Sequence, residues 1–266
     1  MSFMNVTPMN QRLNGFRVAN QITAKSLLTF IPPRWLDETN MESGIDLLRN
    51  ALDGSGRDFS QKILIQPPKF WSSCELVVQH GHSPSLLKTF LQEFEQVRDT
   101  IDLILFPFAF QSHWYLGCIS FRDETFRTGD GMSREPMEHF GTILAKVLNQ
   151  YCQIDICEEG WPYERIPCPL QRDTHSCGVV VLCLLESVLA EEGVGQAPDP
   201  WTPARAVAFR INWMTRVIRR HNEATALITD VPTPSQQMPQ RRGTAAPKPY
   251  LVPKVSAVPT WLTADP

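Results

Sequence analysis

Apolar positions along this chain recur with two different periods. Met41, Ile45 and Leu48 return at helical spacing after Trp35-Leu36-Asp37-Glu38, and Ser85 to Val97 repeats that spacing after a Ser-Pro start, so both are predicted helices. The runs Lys62-Ile63-Leu64-Ile65, Asp102-Leu103-Ile104-Leu105-Phe106 and Tyr115-Leu116-Gly117-Cys118-Ile119-Ser120-Phe121 are short, apolar and rich in β-formers. They read as strands. Thr125-Phe126-Arg127-Thr128 follows the last of them across the acidic turn Arg122-Asp123-Glu124, which predicts a hairpin. Beyond it come a helix from about Arg134 to Asn149, an extended piece from Tyr163 to Pro167, a helix beginning near Cys177 and a final one from about Pro203 to Arg220. On this last helix Ile211, Met214, Val217 and Ile218 are expected on the buried side, and Arg205, Arg210, Arg216, Arg219 and Arg220 on the solvated one. Sheet in the middle with helices around it predicts an α+β fold.

The pattern fades at both ends. Of the 22 prolines, eight fall between Pro232 and Pro266, and the only acidic residue there is Asp265. Such a segment cannot bury enough apolar surface to offset its ordering entropy. The expected organisation is a flexible arm over residues 1–25, a folded domain over 26–230 and a Pro-rich disordered tail over 231–266.

Charge and cysteine usage narrow the function classes. Twenty-five Lys plus Arg against 28 Asp plus Glu leave a formal charge of -3, with no global basic field for nucleic acid or an anionic membrane surface. Neither is an expected partner. The apolar run Val179 to Leu185 is far short of the roughly 20 residues a spanning helix needs. Met1 to Asn20 carries no apolar stretch of the length a secretion signal uses, so an intracellular protein of the nucleus or cytoplasm is expected. Seven cysteines spread over a long chain suit reduced thiols better than a disulfide framework. Cys152, Cys157 and Cys168 with His139 or His175 lack the paired short spacings of common zinc sites.

The most informative stretch is Leu170-Gln171-Arg172-Asp173-Thr174-His175-Ser176-Cys177-Gly178, followed at once by Val179-Val180-Val181-Leu182-Cys183-Leu184-Leu185. A polar turn entering an apolar helix through Cys-Gly places Cys177 at the helix amino terminus, where free N–H groups and the positive end of the dipole favour a thiolate. A cysteine can start a core helix for packing alone, but the polar residues just before Cys177 argue against simple burial. A cysteine nucleophile needs a base and a group that orients the base. His113-Trp114 heads one strand, and Asp130, between Gly129 and Gly131, ends the next, so a hairpin can bring His113 and Asp130 together at one end of the sheet. Taken singly, His113 is an ordinary strand histidine and Asp130 a turn aspartate. Gln171, six residues before Cys177, could aim its NH₂ group at the carbonyl oxygen under attack, beside the Cys177 N–H.

His113-Trp114, then Asp130, then Gln171-x-Asp173-x-x-x-Cys177-Gly178 resembles the ubiquitin-like-protein proteases, the cysteine peptidases that mature and deconjugate SUMO and related modifiers. Trp35-Leu36-Asp37-Glu38 is similar to that family's amino-terminal Trp-Leu-acidic motif. The chain departs from the family at Ser176, where Asp is common before the cysteine, and at Asp130-Gly131, where Asp-Ser is common. The resemblance implies a cysteine-protease fold with a central mixed sheet, flanking helices and the nucleophile at a helix amino terminus. It implies Cys177 as nucleophile, His113 as general base and then acid, Asp130 as orienter, and Gln171 as oxyanion donor. Trp35 and Trp114 would form a narrow tunnel for the Gly-Gly tail of a ubiquitin-like modifier, SUMO-type first, with its conjugates as the partners. It also implies that no metal or organic cofactor is required; a monomer is expected. Two alternatives stay open at this level: a catalytically silent member that only grips a modifier, and an acyltransferase using the same triad.

Overall fold

The computed structural model describes residues 7–17, 22–81, 84–132, 139–156, 160–168, 170–193 and 201–229. Its strands are β1 (Ile63–Ile65), β2 (Leu103–Phe110), β3 (His113–Ser120), β4 (Thr125–Gly129) and β5 (Tyr163–Arg165), joined in that order in one mixed sheet. Its α-helices are α1 (Glu38–Gly54), α2 (Arg57–Ser60), α3 (Lys69–His80), α4 (Lys88–Val97), α5 (Phe140–Cys152), α6 (Cys177–Glu191) and α7 (Ala206–Thr229). The β2–β3 and β3–β4 pairs are antiparallel, whereas β1–β2 and β4–β5 are parallel. Parallel neighbours need a long crossover; α3 and α4 lie between β1 and β2, and α5 lies between β4 and β5. The expected α+β class is the one observed.

Alternation along β2 and β3 divides the core in two. Leu103, Leu105, Trp114, Leu116 and Cys118 pack with residues of α1, α6 and α7 on one face. Ile104, Phe106, Phe108, Tyr115 and Ile119 pack with residues of α3, α4 and α5 on the other, as a two-residue side-chain period dictates. Helix α6 is buried from Cys177 through Leu185, which accounts for its unbroken apolar run: a helix hydrophobic all round belongs inside.

Several boundaries differ from the sequence reading, each for a local reason. Asp37 caps α1, its Oδ1 accepting the Asn40 N–H at 2.9 Å, so Trp35 and Leu36 precede the helix rather than open it. Strand β2 runs past Pro107 to Phe110, and Gln111 and Ser112 turn the chain into β3 with φ of 48° and 58°. Such values suit the two-residue turns that match strand twist, here without glycine. Helix α3, absent from the sequence reading, buries Phe70, Trp71, Cys74 and Val77 along one face. The expected start of α5 near Arg134 lies outside the described residues; the helix begins at Phe140.

Two placements are corrected. Arg210 is fully buried and Ile211 is 51% exposed, the reverse of the expectation for α7. Two apolar stripes compete on this helix, and the one bearing Phe209, Trp213 and Val217 faces the core because the aromatic pair buries more surface. The second concerns residues 1–25, expected as a loose arm. Leu13 and Ile22 are buried, Arg12 pairs with Thr23, and the Asn14 N–H donates to His221 Nδ1 at 2.8 Å. The described part of this stretch is therefore integral to the fold. By contacts the chain divides into Met1–Ile228 and Thr229–Pro266, and the expected tail over 231–266 lies outside the described residues. Among the described residues no helix is long and apolar enough to cross a membrane.

Candidate active site

The turn before α6 is built by one carboxylate. Asp173 Oδ1 accepts the N–H groups of His175 at 2.9 Å and Ser176 at 2.7 Å, and its Oδ2 accepts the Ser176 hydroxyl at 2.8 Å. Aspartate closes a turn on its own backbone readily. Burial alone would raise this carboxyl, but those bonds outweigh it and hold Asp173 below the usual carboxylate range. The chain thereby enters α6 with Cys177 as its first residue, 1% exposed.

Cys177 differs electrostatically from the other described cysteines. Burial pushes the thiols of Cys118, Cys152, Cys168 and Cys183 up to about 12, and raises Cys74 as well. Burial acts upward on Cys177 too, yet its hydrogen bond with His113, the backbone amides of Trp114 and Gly178, and the His113 charge together hold it below its ordinary value. These are the conditions that favour a thiolate.

His113 is the first residue of β3, and the β3–β4 register, Leu116 opposite Gly129, leaves Asp130 just past β4 at the same end of the sheet. His113 Nε2 lies 3.1 Å from Asp130 Oδ1, an oxygen that also accepts the Met132 N–H at 2.7 Å. Both side chains are buried, and the His113 ring meets Tyr115 edge-on at 4.9 Å. Burial lowers His113, but its hydrogen bonds with Asp130 and Cys177 and their charges raise it above its ordinary value overall. The expected meeting of His113, Asp130 and Cys177 is observed.

Gln171 is fixed to the Asp130 turn, its N–H donating to the Gly131 carbonyl at 2.7 Å. Its Nε2 donates to the Asp173 carbonyl at 2.7 Å, leaving the second hydrogen of the NH₂ group for another acceptor. A Cβ on Gly131 would stand 2.8 Å from Gln171 Oε1, so the glycine admits this side chain. Trp114 Nε1 donates to the Leu36 carbonyl at 2.9 Å, tying the segment that carries Trp35 to the strand that carries His113. Trp114 is buried whereas Trp35 is 46% exposed, and among the described residues no ring contact joins the two indoles. Gly178 lies against Trp114 and Leu36: a Cβ there would meet Leu36 at 3.0 Å and the Trp114 ring at 3.2 Å.

A thiol depressed at a helix amino terminus, bonded to an imidazole that a carboxylate orients, is the apparatus of a cysteine peptidase. The chain belongs to the Ulp1 protease family: the model of that family's C-terminal catalytic domain matches residues 84–217, and the protein is a cysteine-type peptidase. No curated protein matches it. Among solved structures, the C-terminal Ulp1 protease domain in complex with Smt3, the yeast ortholog of SUMO, is 19% identical with a TM-score of 0.63, over 82% of this chain and 92% of that one. The catalytic domain of the Chaetomium thermophilum Ulp1-like SUMO protease gives 17% and 0.63, over 82% and 86%. A further structure, described as the de-sumoylating protease, gives 14% and 0.58, over 82% and 95%. These likenesses show the shared fold. The family match begins after Trp35, so the Trp-Leu-acidic motif stands on its sequence and on the Leu36–Trp114 bond.

The sequence reading put Arg210 on the solvated face of α7, whereas it reaches the turn before Cys177, and it used Asp173 only as part of a motif. For Asp173 the signal was an aspartate three residues before a serine in a polar turn; for Arg210 it was the shared face with Ala206, Trp213 and Val217.

Proposed function

We propose that this peptidase hydrolyses the peptide or isopeptide bond after the Gly-Gly carboxyl terminus of a ubiquitin-like modifier, SUMO-type first. In this reading Cys177 Sγ, as a thiolate beside the His113 imidazolium, attacks the carbonyl of the terminal glycine. The oxyanion takes hydrogen bonds from the Cys177 N–H and the Gln171 NH₂. His113 passes its proton to the leaving amine as the C–N bond breaks, leaving a thioester, then draws a proton from water so that hydroxide attack frees the acid and the thiolate. Asp130 holds the imidazole in the required orientation. The catalytic unit takes in the packed part of residues 1–25 together with 26–230, with 231–266 outside it. Free thiols at all six described cysteines suit a reducing compartment, the nucleus or cytoplasm.

The observation that carries this reading is the depressed thiol of Cys177 against five raised ones, bonded to a His113 whose Nε2 lies 3.1 Å from Asp130 Oδ1. Substrate class rests on the family match and on access. With Cys177 at 1% exposure beneath Trp114, a slim extended tail suits the approach better than a bulky loop. Changing the penultimate glycine of a SUMO substrate to alanine should therefore suppress cleavage, measured as initial rate. Equal rates on the Gly-Gly and Ala-Gly tails would contradict the proposal.

The pair has a pH signature. Lowering Cys177 and raising His113 both favour the thiolate–imidazolium form, whose pH range the two groups bound. Asp130→Asn removes the charge that raises His113 and leaves at most a weaker, neutral hydrogen bond in its place, so the alkaline limb of the rate profile should move to lower pH. A weaker imidazolium also supports the thiolate less, so the acid limb should move up. The profile is expected to narrow from both sides as well as fall; an unchanged width would remove Asp130 from this role.

A further inference from the structure

The peptide unit between His175 and Ser176 is gripped at both edges. Its N–H, on Ser176, donates to Asp173 Oδ1 at 2.7 Å. Its carbonyl, on His175, accepts a hydrogen bond from Arg210 Nη2, which arrives from α7, 35 residues further along the chain. The next N–H is that of Cys177, the backbone donor assigned above to the oxyanion. Rotation of the gripped unit would swing that N–H away from its aim. The other arm of the same guanidinium, Nη1, donates to the Thr29 carbonyl at 3.1 Å, at the end of the 3₁₀ helix Ala24–Phe30 that precedes the Trp35 segment.

We propose that Arg210 is a positioning residue: its forked guanidinium locks the peptide plane ahead of the Cys177 amide and braces the segment leading to Trp35 against the same turn. This rests on the peptidase reading and extends it to a residue outside the triad and the oxyanion donors. Three features make Arg210 more than a packed side chain. It is wholly out of solvent, and burying an ionised group is costly unless partners compensate. Among the described residues its hydrogen-bond partners are the backbone carbonyls of His175 and Thr29 rather than a carboxylate, with Asp173 and then Cys177 acting on it through space. Its Nε has no hydrogen-bond partner among the described residues, so even this set leaves a buried donor unmet. A group held there for stability alone would be better replaced by a hydrophobic residue. The fork matters because a lysine ammonium is a point charge and cannot present two coplanar arms to separate carbonyls.

The test separates acyl chemistry from thiol reactivity. Alkylation by iodoacetamide needs the Cys177 thiolate but no oxyanion hole, whereas hydrolysis of SUMO–aminomethylcoumarin needs both. Arg210→Met keeps most of the buried volume and removes the fork. We expect a folded protein whose kcat falls about 10²-fold, the size a ~1 Å misplacement produces, with KM little changed and Cys177 alkylated at nearly the parent rate. Arg210→Lys, which keeps the charge, should fall between parent and Arg210→Met in kcat. A folded Arg210→Met with parental kcat would overturn the proposal. So would a parallel loss of kcat and alkylation, because the arginine would then act on the thiolate itself. If Arg210→Met does not fold, parental kcat in Arg210→Lys would overturn it; failure of both variants to fold would do the same by making the role purely structural. A parent that neither cleaves the substrate nor reacts at Cys177 would refute the peptidase reading first, and the inference with it.

Discussion

Cys177→Ala should abolish turnover of a modifier substrate while leaving the fold intact, a loss on the order of 10⁶-fold by analogy with removal of the nucleophile from a catalytic triad. The other described cysteines should behave differently. Cys168 and Cys183, with thiols pushed up to about 12, are protonated at neutral pH and hence poor nucleophiles. Cys168→Ser and Cys183→Ser should keep substantial activity, subject to any loss of folded protein at the buried Cys183. Rates and melting temperatures measured side by side decide the matter. Retained turnover in Cys177→Ala, or full loss in a folded Cys168→Ser, would reassign the nucleophile.

The second large effect is expected at Gln171. Removing one oxyanion donor costs about 2.7 to 4 kcal/mol, or roughly 10² to 10³ in kcat, so Gln171→Ala should depress kcat by that factor with a much smaller change in KM. Its stability cost should be modest. Gln171 Oε1 is buried with no hydrogen-bond partner among the described residues, so truncation removes an unsatisfied acceptor along with the bond to the Asp173 carbonyl. A change confined to KM would make Gln171 a binding residue. Unlike Arg210, Gln171 is assigned contact with the reacting oxygen, so a lysine-type conservative rescue has no counterpart here.

The meeting of Cys177, His113 and Asp130 was legible because its logic is local. A polar turn feeding an apolar helix through Cys-Gly marks Cys177, and two strands joined by one turn bring His113 to Asp130; neither inference needs the rest of the fold. Gln171 was reachable from its place six residues before Cys177 on the same turn, whereas Trp114 entered only through the family resemblance. What escaped depends on tertiary choices. Arg210 sits on a helix with two apolar stripes, and only the sheet and α6 decide that Phe209 and Trp213 turn inward and carry Arg210 with them. Leu13 and Ile22 lie in a polar stretch whose value to the core depends on α7, through the bonds from Asn14 to His221 and from Arg220 to Gly15. Pro107 reads as a strand end, yet β2 continues through it opposite Leu116 because the hairpin register is set further on, at Phe110 and His113.

The central claim is that Cys177 attacks the carboxyl terminus of a ubiquitin-like modifier, and its most direct test is a SUMO carrying a carboxy-terminal electrophile, followed by peptide mapping of the adduct. The expected result is one covalent adduct, on Cys177, absent from Cys177→Ala and weakened by an Ala-Gly tail. Binding without an adduct, or an adduct on any other cysteine, would contradict the account.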